Sequence, residues 1–145
     1  MRPSGCRRGP LALAPPVLLC AALVACGGVA SPDLFVVERS GGSQGPLNVV
    51  VSEEGIVRCN RGAPHRLSDP ALIEARALQE ELQEPASHHL SLRARPGSVY
   101  GYRLRDVNGS VSFADNSTGG PKVLSRLQLF TLQVLARVCG SGGSG

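Results

Sequence analysis

Ser98-Val99-Tyr100-Gly101-Tyr102-Arg103-Leu104-Arg105-Asp106-Val107-Asn108-Gly109-Ser110-Val111-Ser112-Phe113 is the stretch on which the fold turns. Polar and apolar residues alternate with period two on both sides of Asn108-Gly109, a dipeptide suited to the positive φ angles of a two-residue turn. The pattern predicts an antiparallel hairpin. Beyond it, Asp115 to Gly120 is a polar loop, and Pro121 opens a helix expected to run to about Val138. Val123, Leu127, Phe130, Val134 and Val138 form its core stripe, and Cys139 follows its last turn. Ahead of the hairpin, Ala86 to Gly97 is a connection in which the Leu90, Leu92 alternation adds at most a short strand. Asp69-Pro70 reads as an N-cap and first helical position, Ala71, Ala75, Leu78 and Leu82 recur at helical spacing, and Pro85 is expected to end that helix. Further upstream, Asp33 to Arg39 and Leu47 to Ser52 are β-forming runs across a Gly-rich break at Ser40 to Pro46. After the Glu53-Glu54-Gly55 turn, Ile56 to Asn60 makes a third short strand or extends the second, with Arg61 to Leu67 irregular. The order ββ(β)-α-ββ-α predicts an α+β fold: a four- or five-stranded, mainly antiparallel sheet with two helices on one face.

The first 25 residues read differently. Arg2, Arg7 and Arg8 precede an apolar run, Leu11 to Ala25, that is interrupted by Pro15-Pro16 and too short to span a bilayer. The run ends on Leu23-Val24-Ala25-Cys26, which resembles the lipobox of bacterial lipoproteins. This implies a signal peptide over 1–25, a lipid on Cys26 and a flexible tether over 26–32. If processing follows the small-x-small site Gly28-Val29-Ala30 instead, the product starts at Ser31 and is secreted and soluble. Removing 1–25 leaves 120 residues (145 less 25), enough for one small domain, expected over 33–139 with a disordered Gly/Ser tail over 140–145. The formal charge of +4 loses three arginines with the signal, so 12 bases (15 less three) face 11 acids. That balance gives no argument for nucleic acid. Cys6 and Cys20 lie in the signal and Cys26 is the lipid acceptor, leaving Cys59 and Cys139 in the domain. Two thiols in an exported chain are expected to form one disulfide.

Motifs of catalysis fail on context. Gly41-Gly42-Ser43-Gln44-Gly45 matches G-x-S-x-G, a pattern that exposes a serine on a strand-to-helix turn, but here it lies between two strands. Gly140 to Gly145 matches G-x-G-x-x-G by letters without the strand and helix that a pyrophosphate cradle needs. His65, His88 and His89 are the only histidines, and a metal site would have to join His65, one of the pair and Glu84. Asp106, Asp115 and Asn116 crowd one side of the hairpin, but lack the alternating oxygen spacing of an EF-hand and are better explained as turn residues. Asn108 and Asn116 are glycosylation acceptors by letter, discounted beside a bacterial lipobox. No catalytic, cofactor or metal residue is therefore assigned. Leu129, Leu132 and Ala136 form a second apolar stripe on the last helix, opposite the first. The expectation is that the Phe35 segment or the other helix covers it; uncovered, it is a docking surface for a partner or for the membrane.

The lipobox, the Asp33-Leu34-Phe35-Val36-Val37-Glu38-Arg39-Ser40-Gly41 opening, the Val57-Arg58-Cys59-Asn60 strand end and the Phe130 to Gly140 close resemble small secreted lipoproteins of unknown function from actinobacteria. That resemblance implies no activity. At the level of pattern, a strand ending in Arg39-Ser40-Gly41-Gly42, a returning strand, helix, hairpin and final helix is similar to emfourin-like inhibitors of thermolysin-type metalloproteases. No site residue is carried over. Three functions follow as expectations. The first is a non-catalytic envelope lipoprotein that is held on the outer side of the cell membrane and binds a protein or wall component. The second is an inhibitor offering the Ser40 to Pro46 loop or the N-terminal segment to a secreted protease. The third, disfavoured by the missing triad and ligand cluster, is a small metal-dependent enzyme.

Overall fold

The computed structural model describes residues 32–43 and 45–139. The signal, Cys26, most of its tether and the Gly/Ser tail lie outside the described residues. The chain runs β1 (Asp33–Gly41), β2 (Leu47–Ser52), β3 (Ile56–Cys59), β4 (His65–Arg66), α1 (Asp69–Ser87), β5 (Tyr100–Asp106), β6 (Gly109–Ala114) and α2 (Val123–Val134), and α2 continues as a π-helical turn over Leu135–Cys139. The fold is α+β, with one six-stranded antiparallel sheet in the order β4-β3-β2-β1-β5-β6.

The hairpin forms where the alternation placed it. Asp106 fixes its turn by accepting hydrogen bonds from the backbone N–H groups of Asn108 (2.7 Å) and Gly109 (3.0 Å). β1 is the pivot of the sheet, because it pairs with β2 on one side and β5 on the other. Val37 thus lies between Val49 and Leu104, and Glu38 between Asn48 and Arg103. Period two then separates the faces. Phe35, Val37, Val49, Val51, Val57, Leu104 and Val111 point into one core with Ala75, Leu78, Leu82 and Ala86 of α1 and Val123, Leu127, Phe130 and Val134 of α2. Phe35 meets Phe130 edge-on, with ring centroids 6.1 Å apart. Beyond the core, Arg126 of α2 clamps the two helices by pairing with Glu74 (2.9 Å) and Glu81 of α1.

The sheet has six strands rather than four or five, because His65–Arg66 pairs with Ile56 and Val57 inside the stretch expected to be irregular. In α1, Ser68 occupies the N-cap position and Asp69 is the first helical residue, so the cap falls one residue earlier than expected. Pro85 does not end α1. Ala86, fully buried, holds the last turn against the Gly109 backbone, and the helix runs on to Ser87 despite the amide hydrogen that proline lacks. The expected strand at Leu90–Leu92 is reduced to a parallel bridge, Ser91 opposite Ser112. α2 starts at Val123, two residues after Pro121, and its α-helical part stops at Val134.

The π-helical turn carries Cys139 back to the sheet, where it forms a disulfide with Cys59 at the end of β3, with Cα atoms 5.6 Å apart across 80 residues of chain. The last helix is thereby tied to the first half of the sheet. Among the described residues no helix is long and apolar enough to cross a membrane.

Candidate functional site: the open face of the sheet

With both helices on one face, no second layer covers the opposite face of the sheet among the described residues. Its side chains follow from the register. One row reads Arg58, Val50, Val36, Arg105 and Ser110 from β3 to β6, and the next reads Asn48, Glu38, Arg103 and Ser112, with Asn60 beyond Asn48. Asn60 takes a left-handed conformation (φ 54°) just past β3; its side-chain oxygen accepts a hydrogen bond from Asn48 N (2.9 Å) while its own N–H donates to Asn48 O (2.6 Å). The pairing is thus extended one residue past the strand, which places Arg61 at the rim.

The segment after α1 builds the other wall. Ser112 donates its N–H to Leu90 O and accepts from Leu92 N, both at 2.8 Å, so residues 90–92 run along the edge of β6. Asn116 grips the backbone farther on: its Oδ1 accepts from Arg95 N (2.9 Å), and its Nδ2 donates to Arg95 O (3.0 Å) and Pro96 O (3.3 Å). Ser117 Oγ donates to Arg93 O at 2.9 Å. The Asp115 carboxylate accepts from Ser98 Oγ (2.7 Å), Val99 N (3.1 Å) and Tyr100 N (3.2 Å), and these bonds, that of Ser98 foremost, hold its pKa below the usual carboxylate value. Asp115 and Asn116 therefore anchor the wall through contacts 15 to 21 residues away in the chain, where only local turn residues were expected.

Between the walls lies an open groove of about 990 Å3. Val50, Leu92 and Ala94 supply apolar lining, while Glu38, Arg61 and Arg103 supply charge. Glu38 is paired with Arg105. Asn48, which also lines the groove, has its side-chain oxygen buried without a hydrogen-bond partner, which leaves an acceptor for a donor from outside. Sequence reasoning did not single out this surface. The signal was present in the strands, as the residues alternating with the core positions, but it becomes a site only when the strand order is known.

The residues singled out earlier do not converge. His65 is exposed in β4, His88 caps the far end of α1, and His89 Nδ1 lies 3.5 Å from Ser110 Oγ. The whole of α1, 19 residues and roughly 28 Å of helix, lies between His65 and His88 in the chain. Among the described residues no group of three or more His, Cys, Asp or Glu side chains could hold a metal ion. Ser43 sits exposed in the β1–β2 connection, between two strands rather than at a strand-to-helix turn. That connection is shaped by its neighbours: Gly41 (φ 86°) and Gly42 (φ 70°) press so closely on Val99 and the Tyr100 ring that a side chain at either would collide. Beneath it, the guanidinium of Arg39, only 5 % exposed, lies 4.8 Å from the centre of the Tyr100 ring with its Nε unpaired. Next to them Tyr102 stacks on Phe113 at 5.2 Å, and burial, ahead of the neighbouring charges, pushes its phenol pKa up.

The outer stripe of α2 differs from expectation. Leu129 and Leu132 are 56 % and 47 % exposed, and Ala136 is exposed too. The Phe35 segment lies beneath α2 against Phe130, and α1 lies beside it, so neither reaches over the top. The stripe is a bare apolar ridge on the described surface. Comparison with family models, curated proteins and solved structures finds no match to this chain.

Proposed function

We propose that this chain is a non-catalytic cell-envelope lipoprotein, held on the extracytoplasmic side of the membrane through a lipid on Cys26, which presents a disulfide-stapled domain to a protein or wall component. The open groove on the uncovered sheet face carries the reading: a small domain that leaves one sheet face bare, concave and walled by a hydrogen-bonded segment has the shape of a binding module. The Cys59–Cys139 bridge fits an oxidising compartment outside the cytoplasm. Two substitutions test the two halves. Cys26→Ala is expected to abolish detergent partitioning and to change the mass of the mature N-terminus; an unchanged protein would refute the anchor and favour the secreted, soluble product. Ser112→Trp is expected to fill the groove and end partner capture without unfolding the domain. Capture that survives a filled groove would move the binding surface elsewhere.

A second reading, inhibition of a secreted protease, is favoured by one observation, the exposed Ser40–Ser43 end of the β1–β2 connection, held in place by Gly41 and Gly42 against Val99 and Tyr100. A loop fixed before binding loses little conformational entropy in a cleft. Inhibition assays against secreted metallo- and serine proteases decide it: Gly42→Val should abolish any inhibition found, whereas Ser112→Trp should leave it intact.

A further inference from the structure

The charges of the described residues are sorted between two faces. α1 carries Asp69, Glu74, Glu80, Glu81 and Glu84 against Arg76, and Arg126 of α2 is drawn onto two of its carboxylates. The open sheet face is the opposite: Arg58, Arg61, Arg103 and Arg105 stand against one carboxylate, Glu38, which Arg105 already occupies. Arg58, Arg61 and Arg103 are exposed, and none of them forms an ion pair with a described residue.

Spacing makes this more than a general positive charge. Arg103 lies on β5, and Arg61 just past the end of β3, so β1 and β2 separate them. Three interstrand steps put their backbones roughly 14 Å apart across the groove, and in an extended chain residues i and i+4 lie roughly 13 Å apart. Between the two arginines the register places Glu38, whose charge Arg105 neutralises, and Asn48 with its unpartnered oxygen, and Val50 adds apolar surface in the adjoining row.

We propose that the groove binds an extended acidic peptide segment of a partner protein, laid across the strands, with carboxylates four residues apart on Arg103 and Arg61 and a donor on the Asn48 oxygen. The inference rests on the groove being the binding surface proposed above and adds the chemistry of its ligand. An anionic bilayer is the less suited occupant. A flat lipid surface is met by projecting apolar side chains, whereas Val50 and Leu92 line the inside of a concavity.

The probes are a synthetic β-forming peptide with two glutamates four residues apart, its glutamine counterpart, and phosphatidylcholine vesicles containing phosphatidylglycerol. The glutamate peptide should bind the wild-type domain at least about tenfold more tightly than the glutamine peptide. Arg61→Ser and Arg103→Ser should each weaken it about three- to tenfold, while Lys122→Ser/Arg137→Ser, which alters net charge away from the groove, should change it less than about twofold. Absence of binding, equal binding of the glutamine peptide, or equal loss in the Lys122/Arg137 variant would overturn the proposal, as would vesicles that bind through Arg61 and Arg103 and displace the peptide. A photoreactive residue at Ala94, exposed on the wall of the groove, separates the two levels in the native envelope. A crosslinked partner together with a failed peptide removes the acidic ligand and leaves the groove as the binding surface, and failure of both removes both.

Discussion

Replacing Cys139 with serine should have a large effect, because it releases the π-helical turn from β3 and frees a long loop in the unfolded chain. The bridge joins positions 80 residues apart. For a closed loop of that size the chain-entropy relation gives about 4.5 kcal/mol at 25 °C, and native disulfides in small exported domains contribute about 2–5 kcal/mol. Net stabilities of small domains are only about 5–15 kcal/mol, so the variant should sit near the edge of folding. Urea denaturation followed by far-UV circular dichroism measures it, with Cys59→Ser and the double variant alongside. Because all three remove the same covalent link, they should lose the same stability, and the double variant should not lose the sum. Reductant should destabilise the wild type by a similar amount and leave the three variants unmoved. A loss below about 1 kcal/mol in Cys139→Ser, or reductant sensitivity that persists in the variants, would refute the reasoning, since either result means that the bridge does not constrain the unfolded chain.

Three further outcomes are expected. Leu132→Glu, on the bare ridge of α2, should change stability by no more than about 0.5 kcal/mol, whereas Leu127→Ala, on the buried stripe, should cost about 2–5 kcal/mol in the same denaturation assay. Arg39→Met should leave stability equal to or above that of the wild type in a thermal melt, because the guanidinium has no ion pair among the described residues and its buried Nε has no hydrogen-bond partner; a loss as large as the roughly 3–5 kcal/mol of a broken buried pair would mean that it has a compensating partner. The Asp115 pKa is lowered in the folded state, so its stabilising contribution is present above the unfolded value of about 3.9 and is lost as pH falls through the folded value. Asp115→Asn should therefore weaken the fold at neutral pH and flatten the acid limb of the stability profile, and a profile identical to that of the wild type would refute the carboxylate's role.

Much of this architecture is legible in local sequence, and the exceptions have physical causes. The hairpin at Asn108-Gly109, the core stripes of both helices and the pairing of the two domain cysteines follow from period two, period 3.6 and compartment, which need no knowledge of the partner strand. His65–Arg66 was missed because two residues carry no periodicity; only the edge of β3 makes them a strand. Pro85 misled because the backbone penalty at one position is outweighed by the burial of Ala86 in the following turn. The ridge of Leu129 and Leu132 reads as core in a helical projection, and only the tertiary arrangement shows that no third layer reaches it among the described residues. The groove was illegible for a related reason: Glu38, Asn48, Val50, Arg103 and Ser112 lie on the polar side of two separate hairpins, β1–β2 and β5–β6, and nothing local says that β1 and β5 bring them side by side.

The central claim is that partners meet the open sheet face rather than the apolar ridge of α2. The most direct measurement places a photoreactive residue at Ala94, on the wall of the groove, in one protein and at Leu132 in another and illuminates both in the native envelope. A partner adduct is expected from Ala94 that disappears when Arg61 and Arg103 are replaced by serine, with no adduct from Leu132. An adduct from Leu132 alone would contradict it.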